Sequence, residues 1–512
     1  FSYDSKEVDF MLLSHAHIDH SGRIPRLVKE GFKGNIYCTK ATADLCSIML
    51  PDSGYIQEME TEWDNRKRKR SGGKLRKPLY TVEEAKESLK YFRSVLYNQN
   101  IKISEEIAVR FKDAGHILGS AVIELWIKEG DKEIKLVFSG DLGRLNRPIL
   151  RNLSRIQNAD YVIVESTYGN KMHHPSVDDA KELISIINST VKKGGNIVIP
   201  SFAVERAQDI IYELNKYYDE FVKTEDKNFL QVPVYIDSPL TVLATEIFER
   251  NPDCFDEQTL ELIRTGDNPL DFHNLIFTRN VEESKQINIS PESKVIISAS
   301  GMCNAGRIKH HLKHNLWRSE SSIVFVGYQA NGTLGRRLKE GEKAVKLFGE
   351  EIQVNAKIYS LEGFSGHADK EGIMWWLEGF DDKPKKIFIV HGEEEATQQI
   401  SKTIKENLGV ATYIPEFGDT VVVKGETIIS GEKVELEEKT KRYNEVEENV
   451  DRLKSTLWPA LLKLEKKIDN GVNSEKLIKI KNKLITLQKE SVELNMLLAQ
   501  KNNLNSKNKN SK

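Results

Sequence analysis

The sequence predicts an α/β protein in which one α/β unit is inserted into another, followed by a helical tail. Three observations carry this. Apolar, strand-like runs alternate with amphipathic stretches of helical spacing over most of the chain. The style of that alternation changes near Tyr161 and reverts after about Ile358. Beyond about Glu435 the apolar residues keep a helical period alone.

Composition sets the bounds. A chain of 512 residues has room for two or three domains, and 39% hydrophobic residues suffice for large cores. The formal net charge of −2 gives no global pull toward a polyanion, so any such site must be a local patch. No apolar run reaches the length of a transmembrane helix and no signal peptide is visible, so no membrane partner is expected. Cys38, Cys46, Cys254 and Cys303 are scattered and form no CxxC pair, and a reducing cytoplasm is the simplest reading. The chain opens at Phe1 and enters a strand almost at once, so a segment is expected to precede it.

The elements follow in order. Val8–Leu13 reads as a buried strand, then a polar loop and a helix from about Ser21. Asn35–Cys38 is a short strand and Ala41–Leu50 a helix. The stretch from Thr61 to Lys77, with five successive cations from Arg66 to Arg70, reads as an exposed basic excursion. Strands return at Ile107–Phe111, Ala121–Ile127 and Ile134–Phe138. From Tyr161 the order becomes strand, helix (Val177–Val191), strand (Asn196–Ile199), helix (Val204–Tyr217), strand (Val232–Ile236), helix, and strands Lys294–Ile297 and Ile323–Val326. That order implies a parallel layer. Helix Lys370–Leu377, strand Lys386–Val390 and helix Ala396–Asn407 resume the first style. In the tail, Val446 to Leu464 and Leu477 to Leu487 read as a helical hairpin or short coiled coil, kinked at Pro459, and residues 500–512 read as disordered.

His15-Ala16-His17-Ile18-Asp19-His20 is the strongest chemical signal. It puts three imidazoles and a carboxylate directly after an apolar strand. His15 and His17 can share one metal, and Asp19 and His20 can face a second; this donor set suits zinc, with manganese or iron also compatible. His116, in Asp113-Ala114-Gly115-His116, sits beside small residues that allow close backbone approach. Asp141 and His391 each end a strand, where an aspartate can bridge two metals. Singly, each of these three is better explained by a capping aspartate or a satisfied core histidine. Together with the first motif they read as one metal site.

With HxHxDH intact at His15–His20, the sequence resembles the metallo-β-lactamase superfamily, and more narrowly its β-CASP branch of RNA-processing nucleases, over roughly residues 1 to 430. Three further motifs carry the narrower likeness: Glu165 in Glu165-Ser166-Thr167-Tyr168-Gly169, His367 in Gly363-Phe364-Ser365-Gly366-His367-Ala368-Asp369, and His391. The resemblance implies an αββα sandwich with an inserted β-CASP domain. The scaffold's first strands, and an early aspartate that supports the metal ligands, would then lie upstream of Phe1. It divides the chain at 1–168 and 362–432 for the metallo-β-lactamase domain, 169–361 for the insertion, and 433–499 for the helical tail. It implies two Zn2+, or Mn2+. His15, His17 and His116 would hold one ion and Asp19, His20 and His391 the other, with Asp141 bridging. It further implies hydrolysis of single-stranded RNA by a metal-activated hydroxide, with His367 as general acid oriented by Glu165. Histidine at position 391 matches RNA-acting members, where DNA-acting ones carry valine.

RNA phosphates are expected to meet Ser201 and Arg206 at a strand-to-helix junction, Arg307 beyond another strand, and the loop of Gly332, Thr333, Arg336 and Arg337. The apolar stripe of the tail is expected to pack on the protein's own core, on a second copy or on a partner protein. The competing readings are a DNA nuclease of the same branch, a small-molecule metallohydrolase, and an RNA-binding scaffold without activity.

Overall fold

A computed structural model describes residues 1–173, 176–224, 232–424 and 427–429. The expected helical tail and disordered end lie outside the described residues. The chain divides into one large unit, Phe1–Pro415, and a second from Glu416, in which the antiparallel pair Val422–Lys424 and Thr427–Ile429 is described.

The large unit holds three principal sheets. A three-stranded parallel sheet orders Phe10–Leu12, Asn35–Thr39 and Phe92–Val95. A seven-stranded mixed sheet runs Thr412–Tyr413, Lys386–Ile389, Tyr161–Val164, Lys132–Phe138, Ala121–Glu129, Ile107–Asp113, Ile101–Lys102. Its last four strands pair antiparallel, while its first four are parallel neighbours. Lys386 pairs with Tyr161 and Ile389 with Val164, so the chain leaves this sheet after Val164 and re-enters it beside the strand it left. Between these points lies a six-stranded, wholly parallel sheet in the order Leu275–Phe277, Val234–Ile236, Val295–Ser298, Ile197–Pro200, Ser322–Phe325, Lys357–Ser360. The insertion read from the change of strand pattern is thus present. Val295–Ser298, Ile197–Pro200 and Ser322–Phe325 are buried throughout, as parallel strands covered on both faces must be.

One reading needs correction. The helix expected to end at Leu50 runs from Lys40 to Arg70. Thr39 caps it by accepting the Thr42 N–H, and Pro51 sits inside it at the loss of one backbone donor. Arg66–Arg70 are therefore the last turns of that helix, where cations face the negative end of the helix dipole, while Lys74, Arg76 and Lys77 lie beyond it, exposed as expected. The short strands Phe92–Val95, Ile101–Lys102 and Leu275–Phe277 and a hairpin of Ala344–Leu347 with Glu350–Gln353 carry no period long enough to read from sequence.

Candidate metal centre

Neighbouring strand ends gather the site. Lys132–Phe138, Tyr161–Val164 and Lys386–Ile389 lie side by side, and just past their C-terminal ends stand Asp141, Glu165 and His391. His15 and His17 leave the strand Phe10–Leu12, and His17 is the N-cap of the helix Ile18–Ser21 that carries Asp19 and His20. His116 lies in the turn joining Ile107–Asp113 to Ala121–Glu129. Two glycines let these loops meet. A Cβ on Gly143 would stand 1.8 Å from the Gly115 carbonyl oxygen, and one on Gly140 (φ +56°) 2.7 Å from Ser14 Cβ. His391 holds φ +54°, an unusual conformation for histidine, and its carbonyl accepts the Ser166 N–H at 3.1 Å.

The side chains fall into three groups whose ligand atoms lie within 4.8 Å of one another: His15, His17, His116 and Asp141; Asp19, His20 and His391; and Asp141, Glu165 and His367. Asp141 Oδ2 lies 3.4 Å from His15 Nε2, 3.3 Å from His20 Nε2 and 3.6 Å from His116 Nε2, while Oδ1 lies 3.5 Å from His391 Nε2. This one carboxylate touches both histidine groups. His116 donates Nδ1–H to the Gly366 carbonyl (3.3 Å), which leaves the Nε2 lone pair facing His17 Nδ1 at 3.1 Å. Donors around a zinc at about 2.0–2.2 Å stand roughly 3.3–3.6 Å apart, close to these separations. His15 Nε2, His20 Nε2 and Asp141 Oδ1 are buried without a hydrogen-bond partner among the described residues, at a cost of about 1–3 kcal/mol each. A cation accepting their lone pairs removes that cost, so the residues fit a metal.

The electrostatics agree. Burial lowers the pKa of His15, and lowers those of His17 and His116 well below the ordinary histidine value. They stand as neutral imidazoles, the form that binds metal. Asp141 is held well below the usual carboxylate range: burial opposes this, but the close approach of the His15 and His20 imidazoles, 3.4 and 3.3 Å away, overrides it. His20 is raised, because the Asp141 carboxylate outweighs burial.

His367 is placed differently. Its Nδ1 lies 3.1 and 3.3 Å from the two Glu165 oxygens, and Glu165, 1% exposed, is pinned by the N–H groups of Leu142 (2.7 Å) and Thr167 (3.1 Å). Burial alone would lower the His367 pKa, but the Glu165 charge and hydrogen bond raise it.

The expected RNA contacts do not form one free cationic surface. Ser201 is buried and donates to the Phe202 carbonyl (3.1 Å). Arg206 is buried and paired with Asp209 (2.8 Å); its Nε has no partner among the described residues, and a Cβ on Gly366 would stand 2.6 Å from its Nη2, so the guanidinium reaches the His367 loop. Arg307 pairs with the buried Asp237 (2.6 Å). Thr333 caps the helix Leu334–Lys339, Gly332 faces open space, Arg336 pairs with Glu340 (2.6 Å) and Arg337 with Glu342 (2.6 Å).

A buried ion cluster behind the site escaped the sequence reading. Arg147 donates to the His116 carbonyl (2.6 Å), to Glu205 (3.0 Å) and to Asp209 (2.6 Å). Glu205 accepts the Leu118 N–H (3.0 Å). Its one local trace is a pair of charges, Glu205 and Arg206, in the otherwise apolar approach to a helix. Across the cleft, Tyr328 and Asn331 (3.2 Å) both donate to Glu393, close to His391. Phe202 stands with its ring centre 6.5 Å from that of His17.

Comparison with known proteins matches this geometry. Residues 3–163 match the metallo-beta-lactamase superfamily domain, 207–338 the Beta-Casp domain, and 351–415 the Zn-dependent metallo-hydrolase RNA specificity domain. Ribonuclease TTHA0252 of Thermus thermophilus is 34% identical, over 83% of this chain and 90% of that protein. The transcription termination factor FttA of Methanocaldococcus jannaschii is 31% identical over 82% of this chain, and that of Thermococcus kodakarensis 33% over 82%. The chain spans 64% and 63% of those two factors. The chain belongs to the β-CASP nucleases of the metallo-β-lactamase superfamily, a family of metal-dependent hydrolases.

Proposed function

We propose that this protein is a zinc ribonuclease that hydrolyses phosphodiester bonds of single-stranded RNA. The observation that carries this is the single carboxylate of Asp141 touching two histidine groups, with His367 standing 4.0 Å from it on a fixed Glu165. His15, His17 and His116 would hold one ion, Asp19, His20 and His391 the other, with Asp141 shared. When bound, such ions neutralise phosphoryl charge and make water nucleophilic at neutral pH. Manganese satisfies the same donors less selectively.

The chain's own groups do the rest. Glu165 keeps His367 protonated and turns its Nδ1 inward, so Nε2–H can be delivered to the departing oxygen. The guanidinium of Arg206, whose Nη2 lies beside the His367 loop and whose Nε has no partner among the described residues, is the donor best placed for a phosphate oxygen. Phe202 and Tyr328, both partly exposed, offer rings on which unpaired bases stack, which favours a single strand over a duplex. RNA is favoured over DNA by His391 and by the ribonuclease likeness.

The test is cleavage of RNA and DNA of identical sequence, single- and double-stranded, with zinc and with a chelator. Single-stranded RNA is expected to be cut, and chelation to stop it. Equal cleavage of single-stranded DNA, or cleavage indifferent to chelator, overturns the reading.

A further inference from the structure

The helix Lys40–Arg70 carries a face that the metal centre does not use. Its first half is built into the core through Ala41, Leu45, Cys46, Leu50 and Gly54. Beyond Gly54 none of its residues is buried. Tyr55, Met59 and Trp63 are 56%, 47% and 61% exposed, and at four-residue spacing they share one side with Arg66 and Arg70. Along that side, apolar surface gives way to cations. Lys67 Nζ lies 3.2 Å from the Trp63 ring centre, which leaves the opposite face of the indole to solvent. Arg66 pairs with Glu62 (2.5 Å), but both are more than half exposed, and such a pair is readily exchanged. Arg68 is tied to Asp64, whereas among the described residues no carboxylate pairs with Lys67, Lys69 or Arg70. From residue 65 to 77 the sequence holds eight Lys or Arg and no Asp or Glu, in a chain of net charge −2.

We propose that this face is a second docking surface for the RNA strand, with phosphates on Arg66, Lys67, Lys69 and Arg70 and bases on the Trp63 and Tyr55 rings. The proposal rests on the ribonuclease reading. Charge complementarity selects the occupant. Only two of these eight cations, Arg66 and Arg68, are paired with a carboxylate among the described residues, and the excess positive charge matches a polyanion; rings interleaved with cations are the means by which single strands are held without reading sequence. Position supports it too. Thr39, the helix cap, donates Oγ1–H to the Gly119 carbonyl (2.6 Å), three residues beyond His116. At about 1.5 Å per residue the helix then carries Arg66 roughly 40 Å from that end. A short RNA filling the metal site leaves this face empty, and a long one reaches both. Two linked contacts raise the affinity for long RNA with no change in the chemistry.

The test replaces Arg66, Lys67, Lys69 and Arg70 by Gln, a good helix former, with Trp63→Ala as a separate variant. The probes are 5′-labelled oligouridines of about 8 and about 40 nucleotides, followed by cleavage and by fluorescence anisotropy with chelator. The quadruple variant should cut the short RNA as the parent does, while KM and Kd for the long RNA rise by about tenfold or more. The salt slope for the long RNA should fall by about 0.7 per lost phosphate contact. Trp63→Ala should weaken long-RNA binding without altering that slope. Unchanged long-RNA Kd in the quadruple variant overturns the proposal, as does an equal loss on both RNAs. So does a concentration-dependent dimer that Trp63→Ala disperses while long-RNA binding is retained. If the parent cuts neither RNA, the ribonuclease reading fails, and the anisotropy of the long RNA still decides the surface.

Discussion

Replacing Arg147 by Leu tests whether the buried ion cluster supports the metal site. The guanidinium bonds Glu205, Asp209 and the His116 carbonyl, and Arg147 is 7% exposed. Removing one partner from a buried ion pair costs about 3–5 kcal/mol. The cluster moderates that cost. Asp209 keeps Arg206 at 2.8 Å, and burial pushes Glu205 up to about 8, so at neutral pH it is mostly protonated already and leaves little buried charge behind when Arg147 goes. The lower end, about 3 kcal/mol, is therefore expected. The loss of the bond to the His116 carbonyl should also loosen a metal ligand, and weakened ligand support of this kind lowers metal affinity by about 10–100-fold. Urea unfolding of the zinc-loaded protein reads the first effect, and competition with a chromophoric chelator the second. Adding Glu205→Gln to the variant should change the stability little further, because Glu205 is already mostly neutral at that pH. A loss below about 1 kcal/mol with unchanged metal affinity would refute the reasoning.

Two further outcomes follow from the geometry. His367→Ala should lower the single-turnover rate by about 10²-fold or more while zinc content by elemental analysis stays unchanged; an unaltered rate removes His367 from proton transfer. Asp237 is buried, and although burial pushes its pKa up, hydrogen bonds from His311 (2.6 Å), Ser284 (2.6 Å) and Thr278 hold it well below the carboxylate range. A depressed folded-state pKa stabilises above the unfolded value of about 4 and loses that stability as pH falls below it. Asp237→Asn should therefore lower the urea midpoint at neutral pH and flatten its decline on acidification, and an unchanged acid limb would count against this assignment.

The centre was readable from sequence where its parts are contiguous or end a long apolar strand. His15 to His20 occupy six successive residues, and Asp141, Glu165 and His391 follow runs whose burial is evident from composition. What could not be read depends on proximity in space. Arg147 meets partners 58 and 62 residues away, and no local pattern marks such a pair. The same gap hid Asp237, 70 residues from Arg307, with which that arginine pairs. Pro51 misled for a different reason: its local preference ends helices, yet packing of Ala41 to Leu50 carries this one through.

The pairing of Tyr161–Val164 with Lys386–Ile389 also orders events in time. During synthesis from the N-terminus, His15 to His20, His116, Asp141 and Glu165 emerge first. His367 and His391 arrive only after the whole insertion has been made. Until then the second ligand group lacks a member, and Glu165 has no imidazole to orient. A chain made only as far as the insertion therefore carries His15, His17, His116 and Asp141 but neither His367 nor His391. The long detour between two neighbouring strands thereby puts the last members of the centre at the end of synthesis of the fold.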